Sequence, residues 1–321
     1  MKAIKVIDGK AALQEAEIPT IGPNDILIRI KATAANRADL MQKKGLYPPP
    51  PGASEILGLE CSGIVDAVGH KVTSRKVGDE VCALLAGGGY AEYVACPEFQ
   101  AIPKPTNLNW DEAASLPEVY ATCWLNLFIE GNLNTGNKVL FHAGASGIGT
   151  AGIQLCKAFD CESFITAGDK EKIKFCIDLG ASKGAVRGDK MFNEVQGWVP
   201  EGFDIILDPV GANYFEDNLK VLGLEGRLII IGLMGGMEAN INLGHLMMKR
   251  QRIIGSTIRA RSEELKKIVM NELHKKVWPF IESNQIKPVI HEVLDISETE
   301  KAHQIMEENQ NIGKLVLSLG N

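Results

Sequence analysis

The sequence has no long apolar segment and no block of positive charge. Its longest apolar run, residues 228–234, is far shorter than the ~20 residues that a membrane-spanning helix needs. The N-terminal segment MKAIKVIDGK contains no apolar core of the kind that a signal peptide has. The net charge is −6, so nucleic acid is not the expected partner. These absences predict a cytoplasmic protein with neither a membrane nor a nucleic-acid partner.

Closely spaced cysteines are also missing. Seven cysteines are spread along 321 residues, and none forms a C-x-x-C pair. An odd, scattered set predicts reduced cysteines that pack in the interior of a cytosolic protein. A structural zinc ion is bound by four closely spaced cysteines. The region of Cys82 and Cys96 offers only these two, which are far apart, so no such zinc lobe is indicated.

The chain is long enough for two domains, because single hydrophobic cores stop growing at about 250–300 residues. Roughly the first 115 residues contain short strands separated by glycine, proline and aspartate. A helix is predicted at 110–130, interrupted by Pro117. From Lys138 strands of buried type alternate with helices, which predicts a parallel α/β sheet. After Gly255 the pattern is mixed, and we expect the last strand to rejoin the first domain.

A glycine-rich turn between a strand and a helix predicts a phosphate-binding loop. The strand ends at His142, and we expect Gly144, Ala145, Ser146, Gly147, Ile148 and Gly149 to surround the pyrophosphate of a dinucleotide. Glycines let the backbone approach the phosphates, and the start of the helix attracts their charge. The literal G-x-G-x-x-G at 147–152 is a different register, in which the turn would begin too late. In the register we favour, Gly152 lies inside the helix as a packing residue.

The end of the second strand of this domain indicates NADPH. An NAD enzyme carries an acidic residue there for the ribose hydroxyls. Here Gly168 leaves room for a 2′-phosphate, and Lys172 and Arg187 can supply positive charge. Asp169 is the competing signal, since it would favour NADH if it pointed inward. Loops after later strands are also expected to face the cofactor, namely Asp208 and Val210, and then Gly232, Leu233 and Met234.

Six segments together resemble the zinc-free quinone oxidoreductases of the medium-chain dehydrogenase/reductase superfamily, closest to the p53-inducible branch related to zeta-crystallin. They are 36–42 (NRADLMQ), 45–52 (GLYPPPPG), 57–63 (LGLECSG), 87–94 (GGGYAEYV), 142–149 (HAGASGIG) and 232–236 (GLMGG). The resemblance implies a Rossmann doubly wound parallel sheet domain inserted into a GroES-like, β-rich catalytic domain, with the active cleft between them. The expected boundaries are 1–118 and 257–321 for the catalytic domain and 119–256 for the Rossmann domain.

The resemblance also supplies catalytic candidates. Asn36 stands where the zinc branch has a cysteine ligand, and Leu59 stands where it has a histidine, so no metal is expected. Asn36 and Tyr47 would act through hydrogen bonds, and the amide of Asn36 could bond either the nicotinamide ribose or the substrate. Thr122 would lie near the nicotinamide, and Lys314 has a weaker claim to the cofactor. Structural alternatives are a capping asparagine, a packing tyrosine and a threonine bonded to its own helix.

The function that this resemblance implies is NADPH:quinone reduction, by a homodimer that joins at the edge of the Rossmann sheet. A reductase of enoyl thioesters or other activated alkenes is a second possibility. A third is a low-turnover NADPH-binding protein with a regulatory or RNA-associated role, against which the acidic net charge argues. His142, His245, His274 and His303 are expected to have surface or packing roles.

Overall fold

The computed structural model describes residues 1–320 and divides into two compact units. Unit 1 consists of Met1–Ala121 together with the chain from Ile258 onward, and unit 2 is Thr122–Thr257. The sequence analysis placed the two boundaries after residues 118 and 256.

The elements follow the chain through unit 1, unit 2 and unit 1 again. The first part contains β1 (Lys2–Ile7), β2 (Lys10–Glu15), β3 (Asp25–Ala35), α1 (Arg37–Lys43), β4 (Glu60–Val68), β5 (Glu80–Leu84), β6 (Tyr93–Pro97), a 3-10 turn (Glu98–Gln100), β7 (Ala101–Pro103), α2 (Trp110–Ala114) and α3 (Pro117–Cys123). The middle part contains a π-helix (Trp124–Glu130), β8 (Lys138–His142), α4 (Gly147–Ala158), β9 (Glu162–Ala167), α5 (Lys170–Leu179), β10 (Lys183–Val186), α6 (Met191–Val195), β11 (Phe203–Asp208), α7 (Ala212–Val221), β12 (Leu222–Ile230), α8 (Leu243–Met248) and β13 (Arg252–Gly255). The last part contains α9 (Glu263–Lys276), α10 (Trp278–Glu282), β14 (Ile290–Asp295), a 3-10 turn (Ile296–Glu298), α11 (Thr299–Glu307) and β15 (Lys314–Ser318).

Unit 2 is a doubly wound parallel sheet, as predicted. Within residues 1–320 its strands lie in the order β10-β9-β8-β11-β12-β13, and each neighbouring pair is parallel. The order reverses between β8 and β11, which is where sheets of this kind bind ligands. The strands are buried by helices, and one core cluster includes Leu140, Phe164, Ile206 and Leu228.

Unit 1 is built on a mostly antiparallel sheet. In the part of the chain that the structure describes, the strand order is β14-β15-β3-β4-β5-β7, with β6 paired to β3 beside this path. Strand β15 lies between β14 and β3, and its Val316 is opposite Ala34 of β3. The prediction that the last strand rejoins the first domain is therefore confirmed.

The predicted helix at 110–130 is divided into three pieces. Helix α2 ends before Ser115, α3 begins at Pro117, and a π-helix follows from Trp124. Pro117 lacks an N–H and fits the first turn of a helix, so the chain restarts there instead of continuing. The break places Glu118 in the first turn of α3.

Two further expectations concern the whole chain. The seven cysteines are free thiols, and all except Cys161 are buried, which agrees with a packing role. Among residues 1–320, no helix has the length and apolar character to cross a membrane.

Candidate functional site

The loop between β8 and α4 turns the chain at the carboxyl edge of the parallel sheet. The N–H of Gly144 donates to the carbonyl of Thr166 at 2.9 Å, which ties the loop to the neighbouring strand β9. Ser146 precedes α4 as its N-cap, and its Oγ accepts from the N–H of Gly149 at 3.1 Å. The helix begins at Gly147, so the favoured register is the observed one.

The glycines of this segment are required by close packing of the chain. A Cβ on Gly149 would lie 2.3 Å from the carbonyl oxygen of Gly144. A Cβ on Gly152 would lie 2.4 Å from the ring of Phe141 on β8. Gly152 is therefore a packing residue inside the helix, as expected. Its absent side chain lets α4 lie close against the sheet.

The start of α4 has the features of a phosphate site. Ser146, Gly147 and Ile148 are half-buried, while Ala145 is buried. The first N–H groups of an α-helix have no partner within the helix, and the helix dipole adds positive charge. The loop follows β8, beside the point where the strand order reverses. These residues fit the pyrophosphate of a dinucleotide.

A basic side chain lies beside Gly168 at the end of β9. A Cβ on Gly168 would lie 3.8 Å from Nη2 of Arg187, and the N–H of Arg187 donates to the carbonyl of Ala167 at 2.7 Å. Asp169 is the N-cap of α5, and its Oδ1 accepts from the N–H of Lys172 at 2.9 Å. The carboxylate of Asp169 thus caps a helix, and the guanidinium of Arg187 lies beside Gly168.

A buried polar network, which the sequence did not indicate, lies next to the loop between β8 and α4. His142 bonds through Nδ1 to Thr166 Oγ1 at 2.9 Å and through Nε2 to Asn218 Oδ1 at 2.7 Å. Asn218 Nδ2 donates to Asp208 Oδ2 at 3.1 Å. Burial lowers the pKa of His142 to about 4, so the ring is neutral at physiological pH. Because Asn218 Oδ1 accepts, the neutral ring carries its proton on Nε2 and Nδ1 accepts from Thr166.

Asp208 was predicted to contact the cofactor, but its carboxylate serves its own loop. It accepts from the N–H of Val210 at 2.7 Å and the N–H of Gly211 at 3.2 Å, and it is fully buried. Burial raises its pKa to about 6. These bonds shape the turn after β11. Val210 is half-buried, and a signal for this role was the sequence Asp-x-Val-Gly, which is typical of a side chain capping a turn.

The loop after β12 lies against the turn after β11. A Cβ on Gly232 would lie 2.8 Å from the carbonyl oxygen of Pro209, and the N–H of Met234 donates to the same oxygen at 3.2 Å. Leu233 and Met234 are each 50% exposed. Their apolar side chains are therefore available at the carboxyl edge of the sheet, where the cofactor is expected.

In unit 1, the amide of Asn36 is fixed at both ends. Its Nδ2 donates to Glu60 Oε1 at 2.9 Å and to the carbonyl of Ala34 at 3.2 Å. Its Oδ1 accepts from Lys314 Nζ at 2.7 Å. Both amide hydrogens are used, so Asn36 can offer a substrate an acceptor but no donor. A bond from Asn36 to the nicotinamide ribose or to the substrate stays a prediction, and it would have to use Oδ1 as the acceptor.

Lys314 neutralises Glu60 in the interior of unit 1. Its Nζ donates to Glu60 Oε1 at 2.7 Å, to Asn36 Oδ1, and to the carbonyl of Ala35 at 3.0 Å. Lys314 is 5% exposed and Glu60 is fully buried. An ammonium group has three hydrogens, and all three are directed at protein oxygens. Lys314 therefore has no donor left for a cofactor, and its predicted contact with one is not supported.

A second buried network holds the start of α1. Asp39 accepts from the N–H of Asn36 at 2.8 Å, the N–H of Gly58 at 3.0 Å and the hydroxyl of Tyr90 at 3.0 Å. Burial raises the pKa of Asp39 to about 6, although these bonds oppose the shift. Tyr90 Oη also lies 3.4 Å from His303 Nε2. The network fixes the backbone at Asn36, and neither Asp39 nor Tyr90 was identified from the sequence.

Tyr47 lies beside the buried side chain of Arg259. The guanidinium lies 5.4 Å from the centre of the Tyr47 ring, and Nη1 is 3.5 Å from the Tyr47 carbonyl oxygen. Arg259 is held by Ala86 and Gln42, whose oxygens accept from Nε and Nη2 at 2.7 Å each. Within residues 1–320 the phenol of Tyr47 makes no hydrogen bond, so it is free to donate. The same is true of the Thr122 hydroxyl in unit 2, so the structural alternative of a bond to its own helix is not observed, and its place near the nicotinamide stays a prediction.

The positions that hold the catalytic zinc ion in the other branch contain no ligand set. Leu59 is buried and apolar, and Asn36 is occupied by Lys314 and Glu60. Across the described chain, no group of three or more His, Cys, Asp or Glu side chains could hold a metal ion.

The fold and these loops define a dinucleotide-binding oxidoreductase scaffold. Residues 22–106 match the alcohol dehydrogenase GroES-like domain, and residues 147–275 match the zinc-binding dehydrogenase family. The chain belongs to the medium-chain dehydrogenase/reductase superfamily, and it is an oxidoreductase with a nicotinamide cofactor.

Three curated relatives illustrate the range of proteins to which the chain is similar. The zebrafish synaptic vesicle membrane protein VAT-1 homolog is 29% identical over 332 residues, covering 98% of this chain and 66% of the relative. The chain thus spans about two thirds of that protein. Mouse quinone oxidoreductase is 29% identical over 331 residues, covering 99% of this chain and 98% of the relative. A highly-reducing polyketide synthase of Aureobasidium melanogenum is 28% identical over 314 residues, 93% of this chain but 14% of the relative.

Solved structures agree in fold. An NAD-dependent alcohol dehydrogenase matches with a TM-score of 0.86 and 29% identity over the full length of both chains. A mycobacterial protein crystallised with NADPH matches with a TM-score of 0.87 and 26% identity, covering 99% of each chain. Both cofactors therefore occur on this scaffold, so the choice between them has to be argued from this chain's own residues.

Proposed function

We propose that the chain is an NADPH-dependent quinone oxidoreductase that works without a metal ion. The observation that carries this proposal is the closed arrangement of Asn36, Glu60 and Lys314 at the positions of the zinc branch. A carbonyl there would have no Lewis acid to polarise it. Quinones accept hydride readily and need mainly alignment with the cofactor. The similarity to mouse quinone oxidoreductase supports the same acceptor class.

The residues of each unit would then have separate tasks. In unit 2, the N–H groups at the start of α4 would bind the pyrophosphate, and Arg187 with Lys172 would bind the 2′-phosphate. Bound NADPH supplies the hydride. In unit 1, the free phenol of Tyr47 would donate a hydrogen bond to the acceptor oxygen, and the remaining lone pair of Asn36 Oδ1 would accept one from a hydroxyl.

Reduction of an activated alkene is the second candidate. The similarity to a segment of a highly-reducing polyketide synthase favours it, because that relative is by its name a reducing enzyme of another acceptor class. Both reactions use the same cofactor site and differ in the acceptor.

Steady-state NADPH oxidation with 1,2- and 1,4-quinones and with enoyl thioesters tests the proposal. We expect turnover with quinones, little with enoyl thioesters, and no loss of activity after treatment with a chelator. Stoichiometric tightly bound zinc, or turnover restricted to enoyl thioesters, would contradict the assignment.

Cofactor choice is tested by Arg187→Ala. The wild-type protein should bind NADPH about tenfold more tightly than NADH, equivalent to about 1.4 kcal/mol. The variant should lose that preference because the guanidinium beside Gly168 is removed, while NADH affinity stays the same. Lys183→Ala, which removes an exposed cation from β10, the strand that precedes Arg187, is the matched control. Calorimetry that shows equal affinities for the two cofactors in wild type would reject NADPH.

A further inference from the structure

Glu118 is an acidic side chain of unit 1 that has no counterion of its own. It lies in the first turn of α3, and its backbone N–H donates to Glu60 Oε2 at 2.9 Å. This bond holds the start of α3 against the buried Glu60, whose charge acts on the Glu118 carboxyl group. Lys314, whose charge acts on Glu118, already gives its three hydrogens to Glu60, Asn36 and Ala35. In the chain from 1 to 320, the carboxyl oxygens of Glu118 make no hydrogen bond or ion pair.

Charged and titratable groups face Glu118 from several elements of unit 1. They are Glu60 on β4, Asp39 on α1, Lys314 on β15, Tyr47 in the proline-rich loop, Arg259 before α9, and Lys266 on α9. Glu118 is half-buried, and this partial desolvation together with the negative charge of Glu60 raises the pKa of its carboxyl group to about 8, while Lys314 and Arg259 oppose the shift. At neutral pH the carboxyl group therefore holds its proton.

Glu118 and Tyr47 share this part of unit 1 but differ as acids. Burial and the charge of Glu118 raise the pKa of Tyr47 above its ordinary value, so the phenol keeps its proton and acts only as a hydrogen-bond donor. Lys266 is 8% exposed and has no hydrogen bond or ion pair through Nζ among residues 1–320. With Arg259 it can stabilise the carboxylate that remains when Glu118 loses its proton.

We propose that Glu118 is the proton donor to the acceptor in the reaction proposed above. Reduction of a quinone to a hydroquinone adds one hydride and one proton, and the hydride comes from the reduced nicotinamide. The O–H bond of the Glu118 carboxyl group breaks as the O–H bond of the reduced acceptor forms. Glu118 is left as a carboxylate, and it regains a proton from solvent before the next turnover.

The protonation state of Glu118 can be measured without substrate or cofactor. Infrared difference spectra of wild type against Glu118→Gln should show a protonated carboxyl band at pH 7 that is lost as the pH rises through about 8. Glu263→Gln, which removes an exposed acid that also acts on Lys266, is the matched control and should leave the band in place. An ionised Glu118 at pH 7 would overturn the proposal, whatever the activity.

Kinetics test the donor role itself. With quinone, wild-type kcat should fall as the pH rises through about 8, because the acid form is required. Glu118→Gln should lower kcat at pH 7 by about tenfold to a hundredfold and abolish that pH dependence, with NADPH affinity unchanged. Glu118→Asp, which retains a carboxyl group, should recover part of the rate.

The outcomes separate the two proposals. A wild-type protein that is inactive with every acceptor overturns the proposed function, and the donor role falls with it. An active wild type together with a folded Glu118→Gln variant of equal rate and pH profile overturns the donor role alone.

Discussion

The amide of Asn36 illustrates how buried charges can set the chemistry of a single residue. Glu60 and Lys314 fix both ends of the amide, and Asp39 fixes its backbone N–H. Such an arrangement leaves a defined lone pair and removes any freedom to flip. The residue type alone suggested a donor, but its neighbours leave only an acceptor.

Replacement of Lys314 should therefore lower the free energy of unfolding. Lys314→Met leaves the carboxylate of Glu60 buried without a counterion, and we expect a loss of about 3–5 kcal/mol in the free energy of unfolding. Adding Glu60→Gln to the same chain removes the orphaned charge and should recover part of that loss. Urea unfolding of wild type, both single variants and the double variant measures the coupling. Additive losses would show that the two side chains do not interact.

The roles of single residues were hard to predict because they depend on contacts with residues that are distant in the sequence. Asn36 and Tyr47 could be named because they lie in segments that resemble a family, and Lys314 was named with a weaker claim because it lies near the last strand. Glu60 and Glu118 could not be recognised, because a carboxyl group becomes unusual only through burial beside a distant lysine or a second carboxylate. No spacing in the sequence shows that strand β15 brings Lys314 to β4.

At the scale of elements, packing of α4 on β8 depends on one absent side chain. Gly152→Ala would place a Cβ 2.4 Å from the Phe141 ring. We expect a loss of about 1–3 kcal/mol from overpacking, even though alanine favours helices. The second-site change Phe141→Leu should relieve the contact and restore part of the stability. Thermal unfolding of the four chains checks this, and an unchanged midpoint for Gly152→Ala would mean that the helix can shift freely.

Strands and helices with clear periodicity were predicted well, and short exposed ones were not. The alternation from β8 to β12 is confirmed, and its clearest signals are β8, β9 and β11, which are apolar and almost wholly buried. Strand β2 was missed because most of its residues are exposed and lack alternation. Its signal was the Asp8-Gly9 pair, which takes positive φ values of 49° and 75° and closes the hairpin with β1. Helix α8 and strand β13 were missed because each is only a few residues long.

For the whole molecule, buried histidines should control stability in acid. Burial, reinforced by Lys43, lowers the pKa of His303 to about 4, and burial lowers that of His142 equally far. The folded state therefore binds fewer protons than the unfolded state between about pH 4 and 6.5, and stability falls as the pH drops through this range. Glu118 acts in the opposite sense, since its raised pKa reduces stability as the pH rises from about 4.5 to 8.

His303→Leu should weaken the acid effect. We compare the free energy of unfolding of the variant with that of wild type at each pH. This difference should shift in favour of the variant by about 1–2 kcal/mol between pH 7 and pH 5. The hydroxyl of Tyr90 keeps its hydrogen bond to Asp39, so the substitution does not leave it without a partner. His70→Leu, which changes an exposed histidine of the same unit, is the control. Urea unfolding at both pH values gives the comparison, and parallel curves for His303→Leu and wild type would refute the assignment.

The cytoplasmic location and the homodimer stay predictions.

The position of β15 has a consequence for synthesis on the ribosome. Unit 1 needs this strand in the interior of its sheet, and the strand also carries the cation that neutralises Glu60. In the chain, however, β15 follows the whole of unit 2. Unit 2 can therefore complete its sheet during translation. During that time the sheet formed by the first 121 residues lacks β15, and the carboxylate of Glu60 lacks its cation. Until β15 emerges, residues 32–35 of β3 are an open edge that can pair with the wrong strand.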